Sequence, residues 1–446
     1  MLGGIVALLG GRQAKSIAAP SESRMARTVR ELAAILGLAA ILGSAWWYTA
    51  QTSFPGIMAL VPCAGAAVLI GANHSGLTVM GRLLSFRPIV LVGLMSYSIY
   101  LWHWPLLAFG RYWIDVEPWY FGLAIIASTF VLAYLSWRWI ERPIRQWGGR
   151  HQLGGSSWRL ATSMTAVGVM ALTVVMWKGI PERVPKLARE YAAAAQSQSH
   201  RQYLTISDIR LGKLPRFGGT DPELRVLVWG DSHAMAMMPA FEEVANQLPI
   251  EVVQATRSAT PPLLNFDNEK RTSSEEDAKL LSRELLSVTD NGQIDVVVLI
   301  ARWSQYADQQ AFQESLEETI RTLHEIGTDV WIVKDVPEYP VDIPRSLART
   351  AFWGKVVPIT VSLADHRRVN STFDKSLSSV ELTADSVIDP TPIFRDSKGN
   401  FVALSDGQVL YRDDDHLSIE GALLLVPLLR SKILDQLAAG RRPVSD

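Results

Sequence analysis

The stretch Val226-Leu227-Val228-Trp229-Gly230-Asp231-Ser232-His233 decides how the chain is read. A strand-length apolar run ends on a glycine, and a helical pattern opens at Ala234. Gly230 permits the tight turn between them. Ser232 then stands at a helix N-terminus, where free backbone N–H groups and the helix dipole steady a developing oxyanion. Serine is also a common N-cap, so the tripeptide alone leaves a nucleophile and a plain cap both open.

Outward from this turn, short apolar runs at residues 225–229, 250–254, 295–300 and 329–333 read as strands buried on both faces. Between them, residues 234–247, 275–289 and 311–326 have helical length and periodicity. Such alternation implies right-handed crossovers, a flavodoxin-like parallel sheet and an α/β/α sandwich. Ligands in these sheets bind at the carboxyl ends of the strands, where Asp231 and Ser232 fall.

Towards the C-terminus, Leu410-Tyr411-Arg412-Asp413-Asp414-Asp415-His416-Leu417-Ser418 precedes a terminal helix. A serine nucleophile is weak unless a base takes its proton, and the base needs an acid to fix its tautomer. Asp413 and His416 supply that pair within one turn. Taken alone, the segment also reads as an exposed acidic turn, or as a metal site of Asp413, Asp414, Asp415 and His416. Joined to Gly230-Asp231-Ser232, it reads as a catalytic triad of Ser232, His416 and Asp413, with no metal.

The first half is of a different kind. Charged residues make up 20% of the chain, below the roughly 25% of an ordinary soluble protein, and the long apolar runs gather before Trp177. Five runs, at residues 31–50, 55–72, 88–109, 118–139 and 160–177, come near the length of about 20 apolar residues that a bilayer core requires. Arg12, Lys15, Arg24, Arg27 and Arg30 precede the first, and no basic residue precedes the second. Arg82 and Arg87 precede the third, Arg111 the fourth, and Arg138, Arg142, Arg145, Arg150 and Arg159 the fifth. That alternation puts the odd-numbered connections in the cytoplasm and everything after Trp177 on the opposite side, the periplasm or exterior of a bacterium. The apolar residues 5–9 are too short to span and read as the end of a helix that begins upstream. The net charge of −1 offers no field for nucleic acid. The single cysteine, Cys63, excludes intrachain disulfides and Cys-based zinc sites.

One membrane run is interrupted by polar groups: Ser96-Tyr97-Ser98-Ile99-Tyr100-Leu101-Trp102-His103-Trp104-Pro105. Polar side chains at membrane depth are costly and usually functional. The competing reading is that Pro105 kinks the helix and His103 satisfies a freed carbonyl. This decamer, with Ser96, Tyr97, Tyr100, His103, Trp104 and Pro105 as its motif residues, resembles the motif near the end of the acyltransferase type 3 membrane domain. Arg138-Trp139-Ile140-Glu141-Arg142-Pro143 resembles the end of the helix that follows it. Members of that family acylate bacterial surface carbohydrates, and a subset continues into a periplasmic SGNH-hydrolase domain. The order of segments here is similar to that subset over essentially the whole chain. The resemblance implies the later part of the membrane domain at residues 1–150, an additional transmembrane helix at 151–180, a periplasmic linker at 181–222 and an SGNH-like catalytic domain at 223–446. The family's first helices carry a basic residue and a histidine that handle the acyl donor. They have no counterpart here: either the sequence is a piece of a longer parent that carries those helices, or the gene is shortened.

In the SGNH-like half, the close spacing of Asp413 and His416 matches the family's arrangement. SGNH enzymes usually complete their oxyanion hole with a glycine N–H and an asparagine after a middle strand. Here Ala301-Arg302-Trp303 follows that strand. Arg302 or Trp303 either donates the missing hydrogen bond or is structural. Gly230 and Asp231 shape the turn, with Asp231 expected to bind local N–H groups and His233 to line the acceptor site. Residues 260–266 are expected to border the cleft, Asp335 to stand in its wall, and His324 and His366 to lie on the surface or in the core. Residues 190–196 are helix-prone, and 212–221 read as loop.

The function implied is O-acyl transfer, specifically O-acetyl transfer, to a cell-envelope carbohydrate such as O-antigen or exopolysaccharide, through an acyl-Ser232 intermediate. The setting implied is a multi-pass protein of the bacterial inner membrane, with the C-terminal domain in the periplasm and the lipid bilayer and a glycan acceptor as partners. No bound cofactor is expected, and acetyl-CoA is the acyl donor implied for a full-length relative. A membrane-anchored carbohydrate acetyl esterase and an inactive, shortened acyltransferase remain as alternatives.

Overall fold

The computed structural model describes residues 23–49, 52, 56–114, 118–148, 157–177, 179, 181–197, 204–266, 268, 275–290, 294–354 and 359–440. It separates into two compact units, Met1–Thr162 and Ser163–Asp446. Residues 5–9 lie outside the described residues.

The first unit is helical. Helix α1 spans Arg24–Trp47, α2 Leu60–Ala72, α3 Arg87–Trp113 and α4 Phe121–Ser136. A π-helical turn, Trp137–Glu141, carries α4 into a short helix, Arg142–Gly148. Arg24–Trp47, Arg87–Tyr112 and Phe121–Arg145 are long and apolar enough to cross a membrane, whereas Ile57–Ala72 and Ala161–Met176 are shorter apolar helices. All five apolar runs are therefore helical, and the second, Ile57–Ala72, falls short of the span length expected for it. Large apolar side chains such as Leu36, Leu123 and Val131 point outward, as in helices that meet lipid rather than water. The first pair packs backbone to backbone. A Cβ on Gly37 would lie 2.6 Å from the Gly65 carbonyl oxygen, and one on Gly65 would lie 2.7 Å from the Gly37 oxygen. Without a hydrophobic driving force between them, helices in lipid associate through small-residue contacts of this kind.

Helix α5, Ser157–Met176, contains the boundary between the units. The second unit is built on a six-stranded sheet. Its strands are β1 Arg216–Gly218, β2 Leu224–Gly230, β3 Ile250–Thr256, β4 Val296–Ile300, β5 Asp329–Val333 and β6 Val387–Ile388. The spatial order is β1-β3-β2-β4-β5-β6. The four pairings from β3 to β6 are parallel, and β1 adds an antiparallel edge to β3. The sheet is thus mixed rather than purely parallel, and residues 212–221, expected as loop, include a strand. The chain leaves β2 for β3 on one side and returns to β4 on the other, so the strand order switches at β2. In open α/β sheets that switch point is where ligands bind.

The long strands are apolar on both faces because helices cover both. Val226 and Val228 of β2 pack into one core with Met238, Phe241 and Val244 of helix α6, Ser232–Gln247. Leu227 and Trp229 pack into the other, with Leu281 and Leu285 of α7, Glu275–Asp290, and Leu316 and Ile320 of α8, Phe312–Glu325. This is the α/β/α sandwich. Within residues 181–222, expected to be a linker, the helix Lys186–Ala193 packs on the domain: Ala188 and Tyr191 are buried in the first core.

Candidate active site

The turn after β2 has little freedom. A Cβ on Gly230 would lie 1.8 Å from the Ile300 carbonyl oxygen and 2.7 Å from the Ala234 Cβ. Only glycine lets β4 and the first turn of α6 approach that closely. Asp231 is the N-cap of α6. Its Oδ1 accepts from the His233 N–H at 2.8 Å, and its Oδ2 accepts from the Arg302 N–H at 3.0 Å and the Tyr306 hydroxyl at 3.1 Å. Asp231 is buried and occupied with positioning, which leaves the half-buried Ser232 at the helix start, lining a cleft.

The second piece is a tight loop pinned at both ends. A bridge joins Tyr411 to Leu417, and the Arg412 N–H donates to the His416 carbonyl at 3.0 Å. Asp413 Oδ1 accepts from the backbone N–H groups of Asp415 and His416 at 3.1 and 2.7 Å. Ser418 caps the following helix, Ile419–Leu423. The loop delivers His416 to the turn: its Nε2 lies 2.8 Å from Ser232 Oγ, and its Nδ1 lies 2.9 Å from Asp413 Oδ2. Residues far apart in sequence therefore form one hydrogen-bonded chain.

Charge around His416 exceeds what a triad requires. Asp415 Oδ1 lies 2.6 Å from the same Nδ1 as a charge contact, while Asp413 is the hydrogen-bond acceptor. Burial works to lower the His416 pKa, but Asp413 and Asp415 outweigh it and push the imidazole up to about 9. Burial acts to raise Asp415 too, yet His233 and His416 hold its carboxyl well below the usual range. Asp413 is also lowered: burial acts to raise it, but the hydrogen bond and charge of His416, together with the backbone N–H groups of His416 and Asp415, outweigh burial. Arg302 Nη1 meets Asp415 Oδ2 at 2.5 Å, and Nη2 meets Glu338 Oε2 at 2.6 Å.

Several residues do not stand where their sequence positions suggested. Trp303 is fully buried; its indole donates to the Val333 carbonyl at 2.8 Å and stacks on Phe373 at 5.0 Å. It has no access to an oxyanion. The Arg302 guanidinium is engaged by Glu338 and Asp415 and does not line the cleft. His233 is buried, with its ring 4.5 Å from that of His416, so it backs the site rather than lining it. Asp335 is buried and accepts from the N–H groups of Trp303 and Ser304, both at 2.8 Å. It braces the turn after β4, and burial raises its pKa to about 6. Residues of the 260–266 loop line a separate small pocket. His366 lies in the core.

The cleft at Ser232, about 170 Å³, is lined by Ser232, Met235, Pro239, Ser258, Arg412 and Asp413, with Ala195 and Ser197 closing one side. Ser258 was absent from the sequence reading. It follows β3, beside the end of β2, and among the described residues its hydroxyl makes a 3.9 Å contact with the Met235 sulfur. Asp415 was also missed as a partner of the imidazole. Among the described residues, His233, Asp415 and His416, and likewise Asp413, Asp414 and Asp415, bring potential metal-ligand atoms within 4.8 Å of one another. Of these, Asp413 and Asp415 contact His416, Asp415 contacts Arg302, and His233 Nε2 stands 3.8 Å from Asp415 Oδ2.

In the first unit, His103 Nδ1 lies 2.8 Å from the Tyr100 carbonyl and 3.3 Å from that of Ile99. Pro105 sits inside α3. It deprives the Leu101 carbonyl of its helical donor, so His103 serves different carbonyls from the one the proline frees. Tyr97, Tyr100 and Trp104 are exposed, as is Ser96. The buried member of the decamer is Ser98, which donates to Glu141 Oε2 at 2.9 Å. That bond joins the two sequence motifs of the membrane unit.

The second unit is an α/β/α sandwich with a serine, a histidine and carboxylates gathered at its switch point. A family model for the SGNH domain (fused to AT3 domains) matches residues 205–431, just over half of the chain. The chain belongs to that family. It is 37% identical to O-acetyltransferase OatA of Staphylococcus aureus (strain NCTC 8325 / PS 47) over 83 residues, 18% of this chain and 13% of that protein. It is 32% identical to peptidoglycan O-acetyltransferase OatA of Listeria monocytogenes serovar 1/2a over 97 residues, 21% of this chain and 15% of that protein. The matched stretches thus span about a seventh of those relatives. The periplasmic domain of a Salmonella ser. Paratyphi A lipopolysaccharide acetyltransferase aligns with 15% identity and a TM-score of 0.43, over 56% of this chain and 98% of that one.

Proposed function

We propose that this protein transfers acetyl groups to a hydroxyl of a bacterial cell-envelope glycan, through an acetyl ester on Ser232. The observation that carries the reading is the hydrogen-bonded chain Ser232–His416–Asp413, with contacts of 2.8 and 2.9 Å. His416 Nε2 takes the Ser232 proton as Oγ attacks the acetyl carbonyl. The carbonyl π electrons move onto oxygen, and the oxyanion collapses as the leaving group departs with the proton from His416. The glycan hydroxyl then gives its proton to His416 and attacks the acetyl-enzyme, and as the ester bond to Oγ breaks His416 returns the proton to Ser232. Asp413 keeps the Nδ1 proton in place and supports the imidazolium.

The Ser232 N–H, in the first turn of α6, supplies one oxyanion donor. Ser258, whose hydroxyl makes a weak sulfur contact, supplies the second in place of the family's asparagine. The names of the relatives support an acetyl group and an envelope acceptor. The apolar helices and the alternation of basic residues support a multi-pass inner-membrane protein with its second unit in the periplasm. Acetyl-CoA is the donor we assign to the complete pathway. If water rather than sugar resolves the acetyl-enzyme, the same residues make an esterase.

The test uses the full chain in detergent micelles, with release of p-nitrophenol from its acetate followed by mass analysis of the trapped enzyme. Wild type is expected to carry one added acetyl on the peptide containing Ser232, and Ser232→Ala neither to acetylate nor to turn over. Full turnover by Ser232→Ala overturns the nucleophile assignment.

A further inference from the structure

Two carboxylates reach His416, and they differ in surroundings. Asp413 has a side chain 32% exposed, with one oxygen already accepting two backbone N–H groups. Asp415 has a side chain only 6% exposed. Its two oxygens face different cations: Oδ1 lies 2.6 Å from His416 Nδ1, and Oδ2 lies 2.5 Å from Arg302 Nη1. Water screens a buried charge less than one at the rim, so Asp415 acts more strongly on the imidazole as a charge, while Asp413 acts more strongly as a hydrogen-bond acceptor. Arg302 is itself fixed twice more. Its N–H donates to Asp231, the cap that holds the Ser232 turn, and its guanidinium makes two hydrogen bonds with Glu338.

We infer that Asp415 is a second positioning residue for His416, and that Arg302, through Asp415 and Asp231, ties the histidine-bearing loop to the serine-bearing turn. The inference rests on the catalytic reading above. It gives a role to the arginine that stands where the resemblance led us to expect an asparagine: Arg302 sets the geometry and charge of the base instead of binding the oxyanion. Asp415 favours the imidazolium that forms when Ser232 loses its proton, while Arg302 draws part of that negative charge away and keeps the base able to release the proton again. Around Asp415 stand His233 on α6, Arg302 after β4, Glu338 after β5, and Tyr411, Asp413, Asp414 and His416 in its own loop, with Arg412 Nε 3.7 Å from Asp413 Oδ2.

The two members of the pair therefore act on His416 in opposite directions. In the full chain, with p-nitrophenyl acetate as the probe, Asp415→Asn removes a negative charge from the imidazole. It is expected to move the acid limb of kcat/KM down by about one pH unit or more, with KM little changed. Arg302→Gln leaves Asp415 uncompensated and is expected to move the same limb up. A merely structural role would lower the amount of active enzyme and leave the limb in place. An Asp415→Asn profile that superposes on wild type overturns the inference, as do shifts of both variants in one direction. If Asp415→Asn does not accumulate as folded protein, Arg302→Gln decides, and an unchanged or lowered limb counts against the pair. Ser232→Ala, run alongside, separates the two claims. Retained turnover there removes the catalytic reading itself, whereas a silent Ser232→Ala with an unmoved Asp415→Asn limb removes only the role of Asp415.

Discussion

His416 can act as a base only when its imidazole is neutral, so the carboxylates beside it govern the pH at which the site works. Burial alone would lower its pKa, but Asp413 and Asp415 bring it up to about 9. Because the raised value stabilises the protonated form, kcat/KM for p-nitrophenyl acetate is expected to rise tenfold per pH unit and to level off near pH 9. A limb near 6.5, the ordinary histidine value, would show that the carboxylates do not act on the free enzyme as drawn. Ser258 gives a second prediction at this scale. If its hydroxyl donates to the oxyanion, Ser258→Ala lowers kcat on the order of 10²-fold while KM stays within a small factor; a kcat equal to wild type removes Ser258 from the hole. These residues also mark what the sequence could disclose. Ser232, Asp413 and His416 were legible because their chemistry is written locally, as a serine after a strand and an acid three residues before a histidine. Asp415 was not, since three consecutive aspartates look alike until Arg302 reaches one of them. Trp303 misled for the converse reason: an indole following a strand looks available until Phe373 and the Val333 carbonyl are found to hold it inside the core.

At the scale of elements, the strands β2 to β5 and the helices between them were legible because both faces are buried and each apolar run is continuous. The edge strand β1 was not. Its three residues pair only with β3 and carry no run of their own, so the turn-like sequence around them hides it. The π-helical turn at Trp137–Glu141 likewise leaves no trace in a pattern of apolar residues. The element that matters most for the site is the junction of β2, β4 and α6 at Gly230. A methyl group there would meet the Ile300 carbonyl oxygen at 1.8 Å, and neither partner is a flexible side chain that can turn aside. Gly230→Ala must force β2 away from β4 or displace the first turn of α6. Overpacking of this kind costs about 3 kcal/mol, which for a unit of this size lowers the midpoint of heat inactivation on the order of 10 °C. Since Ser232 rides on the displaced turn, turnover at low temperature is expected to fall as well. A variant with wild-type heat resistance and turnover would mean that the turn is looser than its contacts indicate.

For the whole molecule, the open matter is how many of the apolar helices cross the bilayer. Arg24–Trp47, Arg87–Tyr112 and Phe121–Arg145 have the length, while Ile57–Ala72 and Ala161–Met176 are shorter. With three crossings or with five, the number is odd, and the catalytic unit lies opposite the residues before α1. A reporter after Asp446 cannot tell the two apart, but the connections can. If only the three long helices cross, Arg82 and Arg87 lie outside, as do Arg142 and Arg145, against the tendency of basic residues to remain in the cytoplasm. If all five cross, those arginines are cytoplasmic. The packing of α2 against α1 through Gly37 and Gly65 favours the second arrangement, because a helix seated backbone to backbone on a membrane span shares its environment. A reporter active only in the periplasm is therefore expected to be silent when inserted beside Gly76 or after Gly148 and active when fused after Asp446. Activity at both internal positions and after Asp446 would reduce the crossings to three. Activity at both internal positions with silence after Asp446 would make the number four, and the unit that carries Ser232 would then face the cytoplasm, away from any envelope glycan.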